Sequence, residues 1–334
     1  MRGSAPILSV DRLRTEFRTG AGIAVAVDDL SFTLGARETL AIVGESGSGK
    51  SMTALSILGL VPRPEGRIAA GSIRFGGRDL LSVSPAELQK VRGGDISMIF
   101  QDPMTSLNPV LTIGRQLTET IERHRPEQNA ESRAVEMLAR VQIPDPAQQM
   151  RRYPHQLSGG MRQRVMIAMA LSCRPKILIA DEPTTALDVT IQAQTLDLMR
   201  TLQNEDGTSI ILITHDMGVV AEMADRVLVM YAGRVVEEGT AVALFDGPLH
   251  PYTRGLLRAR PRVSAAPSAM PDRLAEIPGM VPPPTMLPAG CRFGPRCPLA
   301  AERCAAEYPP MEEKAPGQSA ACWESPCLLR PCRA

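Results

Sequence analysis

Short apolar runs that each end in polar or glycine residues recur over residues 7–246, separated by stretches with helical spacing. ETLAIVG (38–44), DISMIFQ (95–101), KILIADE (176–182) and SIILITHD (209–216) predict buried strands. Alternation of such runs with helical stretches predicts an α/β fold layered on a largely parallel sheet. Ligands of open α/β sheets collect outside the carboxyl ends of the strands, so four polar strand ends are four candidate walls of one site. Over 109–158 the strand pattern stops. TIGRQLTETIERH and ESRAVEMLARVQ space their apolar residues as helices do, predicting an inserted helical subdomain over about 103–170. Beyond residue 247, HPYTRGLLRAR leads into a Pro- and Ala-rich stretch, 261–288, that reads as a linker. The expected division is therefore 1–246, a linker over 247–290, and a cysteine-rich segment over 291–334. No internal repeat is visible.

Composition narrows the classes. A chain of 334 residues is too long for one small core, and 44% hydrophobic with 22% charged residues describes an ordinary globular protein. The formal net charge of +1 gives no electrostatic footprint for nucleic acid or anionic lipid, so no nucleic-acid partner is expected. No run of about 18 apolar residues occurs, and MRGSAPILSVDRLRTEF lacks the apolar core of a secretory signal. The expectation is a cytoplasmic protein whose membrane association is indirect. Of seven cysteines, Cys173 stands in an apolar helical stretch as a small core residue. Cys291, Cys297, Cys304, Cys322, Cys327 and Cys332 crowd the C-terminal end.

The stretch GESGSGKS (44–51) fits G-x-x-x-x-G-K-[ST], with LAIV before it as a strand and SMTALSILGL after it as a helix. Gly44, Glu45, Ser46, Gly47, Ser48 and Gly49 let the backbone curl until its N–H groups converge on phosphate oxygens at the helix N-terminus. Lys50 then reaches the β and γ phosphates, and the Ser51 hydroxyl can coordinate Mg²⁺. A loop of this kind wraps a nucleoside triphosphate. At the end of ILIADE, Asp181 is the candidate for holding Mg²⁺, and Glu182 beside it for polarising an attacking water. His215 closes the next strand, placed to touch the γ-phosphate and orient that water.

QLSGGMRQRVMIAMAL (156–171) carries a more specific signal. LSGGMRQR, about twenty residues before Asp181, resembles the signature motif of the ATP-binding-cassette (ABC) ATPases, a P-loop NTPase fold with an inserted helical subdomain. The resemblance covers residues 7 to about 245. It implies that Ser158, Gly159 and Gly160 form an anion-binding nest for the γ-phosphate held by an opposite subunit, so the working unit is a head-to-tail cassette pair. By the same resemblance Phe17 stacks on adenine and Gln101 senses Mg²⁺ and the attacking water. Asp188, in TTALD, crosses the dimer interface. Met161 stands where many members carry Gln, a difference typical of the peptide-importer branch.

Three stretches narrow the branch. FQDPMTSLNP (100–109), HPYTRGLL (250–257) and CRFGPRCP (291–298) resemble the ATP-binding subunits of bacterial dipeptide, oligopeptide and nickel importers. FQDPMTSLNP then belongs to the surface that receives a short helix of the membrane subunit. The implied partners are a second ABC ATPase subunit, more often a different chain, two transmembrane permeases and an extracytoplasmic substrate-binding protein, with the chain peripheral on the cytoplasmic face of the membrane. Cys291, Cys297, Cys304 and Cys322 are separated by five, six and seventeen residues. Lacking the close pair usual for zinc, the set agrees with an iron–sulfur cluster, or with reduced exposed thiols. Relatives with CRFGPRCP-like tails carry a [4Fe–4S] cluster, which the resemblance implies here; Cys327 and Cys332 stay spare or alternative ligands. The leading expectation is the ATP-hydrolysing subunit of a peptide importer, using ATP, Mg²⁺ and a [4Fe–4S] cluster. The alternatives are the same ATPase serving nickel, glutathione or another small solute, and an ATP-binding iron–sulfur regulatory module that does not drive transport.

Overall fold

The computed structural model describes residues 5–102, 106–126, 129–184, 189–259 and 276–325. An antiparallel ribbon, β1 (Leu8–Thr19) and β2 (Gly22–Leu34), precedes β3 (Thr39–Val43) and helix α1 (Lys50–Ile57). β4 (Gly66–Phe75), β5 (Arg78–Asp79), α2 (Pro85–Val91) and β6 (Ile96–Ile99) follow. Next come α3 (Ile113–His124), α4 (Ala130–Arg140), the short α5 (Pro146–Gln149), α6 (Gly159–Leu171) and β7 (Ile177–Asp181). α7 (Val189–Asp206), β8 (Ser209–Thr214), α8 (Met217–Met223), β9 (Arg226–Tyr231) and β10 (Arg234–Thr240) complete the central layer. α9 (Ala241–Asp246), α10 (Pro251–Arg258), α11 (Glu302–Ala306), β11 (Glu312–Ala315) and β12 (Gln318–Ala320) lie beyond it.

The main sheet has the order β11-β12-β10-β9-β3-β8-β7-β6. All four apolar runs read as strands are present, and β3, β8, β7 and β6 are parallel neighbours. Their residues are buried almost throughout, which is why the runs are continuous rather than alternating. Register decides where the chemistry goes. Val43 pairs with Thr214 and Asp181 with Ile213, so residues 44, 182 and 215 leave the sheet along one edge. A second, antiparallel sheet, β2-β1-β4-β5, departs from the single largely parallel sheet expected. It packs Leu8, Leu13, Leu30 and Ile73 into the same core as Ile42, Ile57 and Ile179.

The two helical stretches predicted over 109–158 are α3 and α4, and the short α5, which was not predicted, follows them. Ile113, Leu117 and Ile121, one face of α3, are fully buried in a core shared with Met137 and Leu138 of α4 and Val165 of α6. Thr112 and Asn129 cap α3 and α4 by accepting from the N–H groups of Arg115 and Ser132. Cys173 is buried, as its apolar setting implied.

Parts of the stretch read as a linker pack against the core. Tyr252 of α10 is fully buried, and Ile277, Val281 and Leu287 lie against the cluster containing Tyr231 and Phe293. The tail also extends the main sheet, where Glu237 of β10 pairs with Ala320. Glu237 is fully buried and accepts from the Leu249 and His250 N–H groups and from Gln318 Nε2 at 2.8–2.9 Å. Glu237→Ala strips three buried donors of their acceptor, so we expect a loss of about 3 kcal/mol, read as a lower midpoint in thermal unfolding.

Candidate active site

Between β3 and α1 the chain turns through 44–51. Gly49 has φ +99°, and a Cβ there would stand 2.4 Å from the Ala26 carbonyl oxygen; at Gly44 a Cβ would stand 2.2 Å from the Met230 carbonyl oxygen. Both positions take only glycine because β2 and β9 close on the loop. The Lys50 side chain folds back along it, with Nζ donating to the Gly44 and Glu45 carbonyls at 2.7 and 3.0 Å. Burial holds the ammonium below its ordinary pKa, while Glu182, Asp181 and Glu45 oppose that shift. Two of those carboxylates stand across the sheet edge. Ser51 Oγ donates to Asp181 Oδ1 at 3.1 Å, and burial raises the Asp181 pKa.

Glu182 sits at φ +47°, a left-handed conformation unusual outside glycine. Its carboxylate is bracketed: Gln101 Nε2 donates to Oε2 at 3.0 Å, and His215 Nδ1 lies 3.1 Å from Oε1. A carboxylate only accepts, so Nδ1 carries the hydrogen and Nε2 is left for another partner. Glu182 is largely shielded and His215 mostly exposed. A shielded carboxylate held at both oxygens beside a cationic lysine can orient and deprotonate a water. Ser51, Asp181 and Gln101 offer only oxygen donors in one place, a set that fits a hard cation such as Mg²⁺.

The structure thus brings together Lys50, Ser51, Asp181, Glu182, Gln101 and His215. Ser158, Gly159 and Gly160 lie at the start of α6. Ser158 caps α6 by accepting from the Met161 N–H at 3.3 Å, and it is exposed with Gly159. A Cβ on Gly159 would meet nothing within 4 Å. Phe17, half-buried, pairs with Ala24 and Gly66 on the antiparallel sheet. Asp188, Cys327 and Cys332 lie outside the described residues, as do residues 103–105 of FQDPMTSLNP.

The family described as "ABC transporter" matches residues 27–185, and "Oligopeptide/dipeptide transporter, C-terminal region" matches residues 236–304. A relative in Brucella melitensis is 54% identical over 310 residues, covering 92% of each chain. One in Brucella abortus is 53% identical over 310 residues with the same coverage. Both carry the provisional name of peptide import ATP-binding protein. The chain belongs to the ATP-binding subunits of the bacterial ABC peptide importers. As a member of that family it is an ATPase built on the P-loop cassette. A dimeric ATP-binding cassette solved in a post-hydrolysis state with ADP and Pi has a TM-score of 0.63 at 27% identity, covering 70% of this chain and 98% of that one. A Clostridium perfringens cassette, part of the cbiONQ transporter complex, has a TM-score of 0.61 at 28% identity, covering 73% of this chain and 92% of that one. Among the described residues no helix of this ABC ATPase is long and apolar enough to cross a membrane.

The four tail cysteines expected to hold a cluster all fall within the described residues. Cys291, Cys297, Cys304 and Cys322 are near enough for their charges to bear on one another, and none is in a disulfide. Yet among the described residues no group of three or more His, Cys, Asp or Glu is assembled to hold a metal ion. Burial raises the Cys291 and Cys322 thiols and pushes Cys297 up to about 11. Sequence reasoning also missed Tyr252 and Arg296, both bonded to Glu45. Their signal was an acidic residue inside a phosphate loop, which calls for a counter-charge.

Proposed function

We propose that this chain is the energising subunit of a di- or oligopeptide importer in which ATP is clasped between two cassettes. The carrying observation is the bracketed Glu182 beside Lys50 and Ser51. In this reading N–H groups within 44–51, apart from the Glu45 N–H held by Tyr252, bind the triphosphate with Lys50, and Phe17 stacks on the adenine. Ser51, Asp181 and Gln101 would hold Mg²⁺, which neutralises charge on the phosphates. Glu182 takes the proton of the attacking water, while His215 holds the carboxylate and orients that water. Ser158, Gly159 and Gly160 bind the γ-phosphate of the neighbouring cassette's nucleotide, and Asp188 links the two sites. The exposed, sterically open Gly159 supports the interface role.

The same reading places the chain on the cytoplasmic face of the membrane, with a second and different cassette, two permeases and an extracytoplasmic binding protein. The cassette core is 1–246, with its helical part near 103–170. Residues 247–290 connect it to the cysteine-rich segment. Cys291, Cys297, Cys304 and Cys322 would supply thiolates to a [4Fe–4S] cluster; the support is their donor chemistry and proximity. Iron and sulfide analysis of the anaerobically purified chain is expected to return about four of each per chain. An iron-free chain that hydrolyses ATP would remove the cluster.

The cargo is tested by ATP hydrolysis of the assembled complex in vesicles, with the binding protein added. Peptide-loaded binding protein is expected to stimulate turnover. Stimulation by nickel or glutathione with none by peptides would contradict the assignment, and hydrolysis indifferent to every solute would favour a regulatory module.

A further inference from the structure

We propose that Arg296 of the tail is a positioning residue for the phosphate loop: it pairs with Glu45 and keeps that carboxylate from opposing the bound triphosphate. The proposal rests on reading 44–51 as the nucleotide site. Glu45 is the second residue of the loop and close enough to Lys50 for its charge to act there. An unpaired carboxylate at that place would repel phosphate oxygens and compete for the lysine.

The arginine is built in firmly. Nη1 donates to Glu45 Oε2 at 2.7 Å and Nη2 to Oε1 at 3.1 Å, a two-pronged pair that fixes orientation as well as charge. Its other donors are used too: Nε on the Pro278 carbonyl at 2.8 Å, Nη2 on the Ile277 carbonyl at 3.0 Å, and Nη1 on the Tyr231 hydroxyl at 3.3 Å. The guanidinium side chain is 5% exposed, against 30% for Glu45. On the loop side, the Glu45 N–H donates to the Tyr252 hydroxyl at 2.7 Å. Tyr231, Tyr252 and Phe293 pack ring to ring with centroids 4.8–5.4 Å apart, so the arginine rests on a rigid base. Arg292, four residues earlier, pairs with buried Asp28 and donates to the Ala232 carbonyl at 2.6 Å. The two arginines of CRFGPRCP therefore clamp the tail beside the loop, and Arg296 directly precedes Cys297.

The test is a double-mutant cycle on the full-length chain, reading the affinity for N-methylanthraniloyl-ATP with Mg²⁺ and the thermal midpoint. Arg296→Gln is expected to weaken binding about tenfold, the effect of one lost charge-assisted pair. With Glu45→Gln closing the cycle, Glu45→Gln/Arg296→Gln should bind several-fold more tightly than Arg296→Gln, the second change removing the carboxylate that the first leaves unpaired. Arg296→Lys, keeping charge without the two-pronged fit, should fall between. Recovery in the double variant is the readout that a merely structural arginine would not give. Wild-type affinity in Arg296→Gln, or a double variant as weak as Arg296→Gln, overturns the proposal. Lys50→Ala separates this from the reading beneath it. If Lys50→Ala loses binding while Arg296→Gln does not, the positioning role alone fails; if neither loses binding, the nucleotide site itself is misplaced.

Discussion

Glu182→Gln is expected to lower ATP turnover by roughly 10²- to 10⁴-fold while leaving ATP affinity within a few-fold of wild type. The amide keeps the shape of the side chain and one oxygen to accept from Gln101 or His215, so one of the two contacts at 3.0–3.1 Å is kept. What is lost is the capacity to take a proton. The loss should therefore fall on kcat and spare KM, the pattern of an interaction made in the transition state. Steady-state phosphate release, paired with nucleotide titration, checks it. Sustained turnover in the variant would remove Glu182 from the mechanism.

Lys50→Ala should act on the other arm and weaken ATP binding by roughly 10²-fold. Nζ is already held at the mouth of the loop by the Gly44 and Glu45 carbonyls, 2.7 and 3.0 Å away. Those neutral partners are readily exchanged for phosphate oxygens. Burial makes the ammonium costly to keep charged, and Glu182, Asp181 and Glu45 help keep it so. Without it, the same carboxylates face a triphosphate with no cation between them. Titration with a fluorescent ATP analogue reads the loss, and unchanged affinity would contradict the placement of the phosphates.

Much of this site was legible because its pieces are local. Each of the strands ending near Gly44, Gln101, Asp181 and His215 is a short apolar run whose last residues turn polar, and parallel register aligns the ends without further information. The antiparallel sheet was harder to see. β1 reads LSVDRLRTEFRT, and its pairing with β2 slips between Val10 and Leu13 and again between Leu13 and Thr15, with Arg12 at φ +45°. Those irregularities break the two-residue alternation by which a strand is recognised. The tail was harder still. A stretch rich in proline and alanine has the composition of a linker, and only tertiary contacts show Ile277 and Val281 against the core or Arg296 on Glu45. Pairings between residues 251 positions apart leave no periodic trace.

The proposed mechanism requires two cassettes to close over one nucleotide. The most direct measurement is a structure of the Glu182→Gln chain, in complex with its cassette partner and permeases, holding ATP and Mg²⁺. The prediction is that Ser158 and the N–H groups of Gly159 and Gly160 lie about 2.7–3.2 Å from γ-phosphate oxygens of the nucleotide bound by the facing cassette's loop. Residues 158–160 turned to solvent, with ATP held by 44–51 alone, would contradict it.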